Sequence, residues 1–316
     1  MLPFLGKAGI DMKSITSKKA ARALPALRAD ANKYTRGVCE LVVGSDRFVG
    51  AAVLAVSAAN RMGAGYVKAY TCDKAADVLH IVQPSAVVLS EQAFFEEDHV
   101  FDERRPRAVV AGCGMAGTDE EIRRTLDLLE ACKAPVVLDG GGLRALACEE
   151  GAAAARRRFV EGIPTVITPH GGEALRLMRF LAEGSQDMPD PSRLKPQEMA
   201  LALARAFGVT CVLKGPDTFI ATGDEASAGD VAAMLQGTPA LAKAGTGDIL
   251  AGMVGSLISQ GAEVFDACAA ATFLHARAGM LASVDRCELC VTAEDVLDHI
   301  AAAAAALDRK IRKEGN

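Results

Sequence analysis

The chain has 316 residues, 50% hydrophobic and 24% charged, with 30 glycines and a net charge of -5, enough for a large core without metal or disulfide support. Its 35 Lys and Arg are spread along the chain, and there is no Trp and only three Tyr, which argues against nucleic-acid partners, an acidic membrane surface or a base-stacking platform. No uninterrupted apolar run reaches the roughly 20 residues of a membrane span, and the opening MLPFLGKAGIDMKSITSKKA has no signal-peptide apolar region, so a cytoplasmic protein is expected.

Residues 1–32 read as an N-terminal helical arm or oligomer contact, preceding one catalytic domain over 33–316. From there short β-branched runs alternate with helical stretches, the pattern of an α/β fold with a mostly parallel sheet covered by helices. VCELVV (38–43) predicts a strand, GAAVLAVSAANRM (50–62) a buried small-residue helix, YVKAYT (66–71) a strand and DKAADVLHIV (73–82) a helix. AVVL (86–89) and RAVVAG (107–112) predict buried strands separated by an acidic loop, EQAFFEEDHVFDERRP. Thr118 followed by acids predicts a capped helix over 118–132. PVVLD (135–139), a helix near 143–159 and PTVIT (164–168) continue the alternation, followed by a helix within 170–184 and a polar, Pro-bearing loop to Lys195. PQEMALALARAFG predicts a helix; VTCVLK (209–214) and TFIAT (218–222) predict strands around a turn at Gly215-Pro216-Asp217, and the chain is helical from Gly247 almost to its end.

Most of the nine cysteines sit singly in apolar contexts and read as reduced core thiols. Cys287 and Cys290 have CxxC spacing, but no second pair or neighbouring His completes a zinc pattern.

LAKAGTGDILAGMVGSLISQG (241–261) is the stretch richest in chemistry. Gly245, Thr246, Gly247 and Asp248 form a glycine-rich loop running into an apolar helix, where free amides and the helix dipole converge on an anion. A carboxylate is a poor phosphate ligand, so Asp248 suits another task, such as accepting a proton from an attacking hydroxyl. The same letters also read as a plain helix start capped by Thr246 or Asp248. KGPDT (214–218) follows a strand and offers a cation and a turn backbone for a nucleotide, or an ordinary hairpin with a solvated Lys. TPHGGE (168–173) places His170 at another strand end, as a ligand contact or a solvated residue. AGCGMAG (111–117) and LDGGGL (138–143) are further glycine-rich strand ends, and so many of them imply repeated close approach of backbone to one cleft.

GSDRFVGAA (44–52) with NRMGAGYV (60–67), AGCGMA, PVVLDGGGL, TPHGGE, LKGPDT, KAGTGDILAG and FLHARAG (273–279) occur in an order that resembles the nucleotide-dependent NAD(P)H-hydrate dehydratases of the ribokinase-like superfamily, over residues 30 to 285. The resemblance implies a ribokinase-like three-layer sandwich and an ADP- or ATP-dependent dehydration of hydrated NADH or NADPH (NADHX or NADPHX, S-epimer), with Mg2+, and ADP the favoured donor. It implies that Ala51, Gly114, His170 and Asp248 contact the hydrate and that Asp248 is the catalytic base. Lys214, Gly215, Pro216, Asp217 and Thr218, with Gly245, Thr246 and Gly247, match the adenine-nucleotide segments. A homo-oligomer is expected, and the epimerase domain frequently fused at the family's N-terminus is expected to be absent.

The family's GPGLG is GCGMA here, with Cys113 and Ala116 at the changed places, TPHPGE is TPHGGE, and LATGGTGD is LAKAGTGD. Lys243 in the last of these offers an extra charge for phosphates. A kinase of a small hydroxylated vitamin or sugar would use the same Asp248 and anion loop, and a non-catalytic nucleotide-binding protein would keep the scaffold without turnover.

Overall fold

The computed structural model describes residues 10–26, 28–183, 190–224, 230–235 and 237–314. Among these, ten strands form one sheet: β1 (Asp11–Ser14), β2 (Val38–Val42), β3 (Tyr66–Thr71), β4 (Val87–Ser90), β5 (Arg107–Ala111), β6 (Val136–Leu138), β7 (Thr165–Ile167), β8 (Thr210–Leu213), β9 (Thr218–Thr222) and β10 (Asp230–Met234). The order across the sheet is β1-β10-β9-β8-β7-β6-β5-β2-β3-β4, and all pairings are parallel except those of β9 with β8 and β10.

Successive strand residues point to opposite faces. Val110, Val137, Val166 and Val212 enter one core, while Val109, Leu138, Ile167 and Leu213 enter another. Because both faces are buried, the strands read as continuous apolar runs rather than alternating ones. The first core is covered by the helices Val49–Arg61, Thr246–Ser259, Val264–Arg286 and Ala293–Glu314. The second is covered by Asp119–Ala131, Glu149–Val160, Gly171–Glu183 and Pro196–Phe207. The molecule is thus an α/β three-layer sandwich.

Strand β3 and the helices Asp73–Val82 and Asp119–Ala131 lie where the periodicity predicts them. Thr118 makes the full capping box: its side chain accepts the Glu121 amide, and the Glu121 carboxylate accepts the Thr118 amide at 2.8 Å.

Four expectations differ. Residues 11–14 are not part of an arm: they extend the sheet as β1, parallel to β10 with Met12 opposite Val231, and the helix Ser17–Arg22 packs fully buried Ala20 against the Val264–Arg286 helix. The edge of β10 supplies the missing partner, and the polar DMKS gives no apolar period to announce it. The acidic stretch after β4 holds a short helix, Glu91–Phe94, because Phe94 stacks on His99 at 3.8 Å between centroids and both are buried. The helix expected near 143–159 is a 3-10 helix, Gly140–Leu146, followed by the α-helix Glu149–Val160, since Cys148 takes an extended backbone (φ −145°, ψ 160°) between them. Finally, Val264–Arg286 is one helix long and apolar enough to cross a membrane by length and composition, yet 67% of that window is buried within the protein, as in a core helix. Part of the polar loop expected after 184 lies outside the described residues.

The topology fixes where ligands gather. From β2 the chain proceeds to β3 on one side, and from β5 it proceeds to β6 on the other, so the loops after β2 and β5 diverge and leave a crevice at the carboxyl ends of the strands. Gly44 N–H bonds the Cys113 carbonyl at 2.7 Å, and Ser45 Oγ donates to the Gly114 carbonyl at 2.7 Å, pinning the two loops at the crevice floor.

Candidate active site

Gly114 lies in the crevice with φ 75°, and a Cβ there would sit 2.7 Å from the Phe48 carbonyl oxygen and 2.9 Å from the Ala51 Cβ. Both the left-handed backbone and the contact with Ala51 exclude a side chain. Two of the four residues predicted to meet the hydrate, Ala51 and Gly114, therefore touch each other. A cleft of about 410 Å³ opens beside them, lined among others by Phe48, Met115, Arg144, His170, Glu173 and Arg176.

At the start of the Thr246–Ser259 helix, Gly245 is left-handed (φ 94°, ψ −24°), and a Cβ on it would lie 2.5 Å from Leu54 Cδ1. No side chain caps this helix. Thr246 Oγ1 turns back to donate to the carbonyls of Leu241 at 2.8 Å and Lys243 at 2.9 Å, so the capping alternative does not hold. The Gly247 amide has no acceptor among the described residues. An apolar helix thus presents an open N-terminus, with its partial positive charge, at the edge of the crevice.

Asp248, one residue further on, belongs to a cluster the sequence did not announce. One ligating atom each from Asp248, Asp139 and Cys113 lie within 4.8 Å of one another. Asp139 follows β6, and its Oδ1 accepts the Lys214 ammonium at 2.6 Å and the Thr168 hydroxyl at 2.6 Å. Burial, reinforced by the charge of Asp139, raises the Asp248 carboxyl to about 6, with Lys214 acting against the shift. Burial also pushes the Cys113 thiol well above its ordinary range, and the carboxylates of Asp139 and Asp248 add to the effect. Cys113 is thus a neutral thiol rather than a nucleophile. For Lys214 burial opposes the charge, but Asp139 and Glu173 outweigh it and the ammonium is held above its usual value. Burial raises the Glu173 carboxyl, with Lys214 opposing.

His275, on the Val264–Arg286 helix, is buried and its Nε2 has no hydrogen-bond partner among the described residues. Burial lowers it to about 4, so it is a neutral imidazole next to the anion loop, where it feels the Thr246 backbone and Lys214. His170 is exposed; its Nδ1 accepts the Gly172 amide at 3.0 Å, and its Nε2 lies 3.6 Å from Glu173.

The sites expected from sequence separate into three places. Ala51 and Gly114 meet in the crevice, and His170 lines the adjoining cleft with Phe48, the neighbour of that contact. Gly245, Thr246, Gly247 and Asp248 form the open helix start, with Lys214 close by: a Cβ on Gly247 would sit 3.1 Å from its Nζ. Gly215, Pro216 and Asp217 are the exposed turn between β8 and β9, which Thr218 closes. Lys214 is neither a solvated hairpin Lys nor a free cation, since its ammonium is committed to Asp139. Lys243 bonds the Leu289 carbonyl at 3.1 Å, which ties it to the far side of the loop instead of leaving it free for a phosphate. Asp139, Thr168, Glu173, Cys113 and His275 are the residues that sequence reasoning passed over as site members. The available signal was Asp139 itself, an acid ending the wholly apolar run PVVL.

A divalent cation bound by protein alone does not fit the Asp139, Asp248 and Cys113 cluster. Mg2+ demands hard oxygen ligands in octahedral array, whereas Cys113 offers sulfur and one oxygen of Asp139, Oδ1, is already engaged by Lys214 and Thr168. The residues present suit a cation that arrives on phosphate oxygens.

The sequence model of the family described as NAD(P)H-hydrate dehydratase matches residues 39–302. The chain is 33% identical over 304 residues to the ADP-dependent (S)-NAD(P)H-hydrate dehydratase of Neisseria meningitidis serogroup B, covering 94% of each chain. It is 31% identical to the bifunctional NAD(P)H-hydrate repair enzyme Nnr of Thermofilum pendens, with 90% of this chain covering 53% of that one, so it spans about half the length of that bifunctional relative. Among solved structures, the ADP/ATP-dependent NAD(P)H-hydrate dehydratase from Bacillus subtilis, co-crystallised with ATP and Mg2+, superposes with a TM-score of 0.75 at 27% identity, covering 94% of this chain and 99% of that one.

Proposed function

Since the chain belongs to the NAD(P)H-hydrate dehydratase family, we propose that it removes water from hydrated NADH or NADPH at the expense of an adenine nucleotide, ADP in the first instance, giving AMP and phosphate. The observation that carries this reading is Asp248: a carboxylate held near neutrality beside an uncapped helix start that suits a phosphate.

The hydrate's ring carbon bears a hydroxyl next to a nitrogen, and hydroxide is a poor leaving group. Asp248 takes the hydroxyl proton as the oxygen bonds the terminal phosphorus of the nucleotide, which departs as the shorter nucleotide. The ring nitrogen's lone pair then expels phosphate, and loss of the neighbouring ring proton restores the reduced nicotinamide. Amides at Gly245 to Gly247 face the charge of the transferring group; one such donor is worth about 2.7–4 kcal/mol in the barrier. Lys214 and Thr168 fix the Asp139 carboxylate in place by hydrogen bonds, and its charge adds to burial in keeping Asp248 a stronger base. Ala51 and Gly114 leave room for the ring, and Arg144 and Arg176 line the cleft with cations suited to an anionic dinucleotide. Mg2+ would come with the nucleotide and lower its phosphate charge. The turn Gly215 to Thr218 supports the adenine nucleotide in this reading.

The deciding assay supplies hydrated NADH with ADP and, separately, with ATP, following the return of reduced-nicotinamide absorbance. A phosphorylated compound that accumulates without that return overturns dehydration in favour of a kinase.

A further inference from the structure

The CxxC pair takes no part in the proposed chemistry, yet the fold places it against the anion loop. The Val264–Arg286 helix ends at Cys287, and Glu288–Cys290 make a single 3-10 turn before the last helix. Both thiols are free and exposed. The Cys290 amide bonds the Cys287 carbonyl at 3.0 Å. Such a closure holds the two Cα atoms within about 7 Å, and disulfides span Cα separations of about 4.4–6.8 Å. Cys287 is the non-glycine residue with positive φ among those described, at φ 70° and ψ 133°. L side chains rarely adopt that backbone, which makes Cys287 the joint of the turn most ready to change.

The residues between the two cysteines grip the segment leading into the anion loop. Glu288 Oε1 accepts the Thr238 hydroxyl at 2.7 Å, and the Leu289 carbonyl accepts the Lys243 ammonium at 3.1 Å. Ala293, just past the turn, has its Cβ 3.0 Å from the place a Cβ on Gly245 would occupy. Any rotation of the turn is therefore felt at residues 238, 243 and 245.

We propose that Cys287 and Cys290 form a reversible thiol–disulfide site, oxidised by a small-molecule disulfide, whose closure shifts the Glu288–Leu289 turn and with it the segment that carries the anion loop. The effect on nucleotide rests on the reading of that loop as the nucleotide site. One cysteine thiolate attacks the small disulfide, forming a mixed disulfide and releasing one small thiol. The second thiolate attacks the mixed disulfide, forming the Cys287–Cys290 bond and releasing the other small thiol. The pair loses two electrons and two protons, and the reagent gains both.

The full chain is equilibrated with oxidised glutathione, alkylated and mapped by peptide mass. Cys287 and Cys290 are expected joined and unalkylated. Hydrogen exchange of the 238–248 amides is expected to rise in the oxidised form, with KM for the adenine nucleotide several-fold higher and kcat less changed. Dithiothreitol reverses both effects, and Cys287→Ser and Cys290→Ser stay at the reduced values in the presence of oxidant. Full alkylation of both thiols after oxidation, or a disulfide with unchanged exchange at 238–248, overturns the proposal. A reduced chain with no nucleotide-dependent turnover contradicts the functional reading instead, and the exchange measurement then still decides this one.

Discussion

Asp248 concentrates the consequences that follow from single atoms. Its carboxyl, raised to about 6 by burial and by Asp139, must be ionised to accept a proton, so turnover is expected to fall as pH drops through about 6. Asp248→Asn removes the proposed base and is expected to cost about 10²–10⁴-fold in kcat, and the acid limb of the pH–rate profile should vanish with it. An Asn variant that keeps both near-wild-type turnover and that limb would show that Asp248 is not the base. The same shift bears on stability. Because the folded pKa lies above the unfolded one, the group's contribution is fully present below the unfolded value and is lost as pH rises through about 6. At pH 8 the ionised Asp248 thus weighs against the fold by on the order of 1–3 kcal/mol. Asp248→Asn should accordingly unfold at higher denaturant concentration than the wild type at that pH, while the two converge near pH 4. Gain of stability with loss of turnover is the signature of a strained functional group.

At the scale of elements, strand β2 carries an acid where only apolar residues are otherwise found. Glu40 is fully buried, and its carboxylate meets His99 Nδ1 at 3.0 Å, Tyr70 Oη at 3.3 Å and an Arg107 guanidinium nitrogen at 3.4 Å. His99 passes the link on to the Phe94 carbonyl at 2.6 Å, so this cluster fastens the 91–106 connection to the sheet. Glu40→Gln leaves Arg107 facing no charge at this point and is expected to cost about 3–5 kcal/mol in denaturant unfolding. A loss under 1 kcal/mol would mean that packing of Phe94 holds the connection instead. Lys68 approaches Glu40 no nearer than 3.9 Å and is paired with Glu97, so it contributes less. The sequence showed an acid inside VCELVV and a His inside an acidic stretch, but nothing in either run says that they meet.

Over the whole molecule, the crevice lies between loops contributed by strands from both halves of the sheet, so a ligand that fills it links both halves. An adenine nucleotide at 100 times its dissociation constant should stabilise the fold by about 2.7 kcal/mol. Thermal unfolding with ADP, and again with ATP, checks this. Asp248→Asn should retain the gain, because its open helix start is unchanged. A thermal midpoint indifferent to both nucleotides would count against the loop as a nucleotide site.

Local pattern was enough for most strands and for the long helices, because a strand buried on both faces must be apolar throughout and a capped amphipathic helix carries its own start signal, as Thr118 does. It was enough also to expect a glycine-rich helix start at residues 245–248, though not to decide between a capped and an open one. Local pattern could not place DMKS at the sheet edge, where the partner strand lies more than two hundred residues away. Nor could it commit Lys214 to Asp139, 75 residues apart in the chain, or bring the exposed CxxC turn against the segment before Gly245. The composition allowed a large aromatic-poor core, and sequence order alone aligned the glycine-rich strand ends with one cleft. Which ionisable groups share that cleft, and therefore how basic Asp248 is, depends on burial and on charges a few ångströms away, and only the tertiary structure decides those.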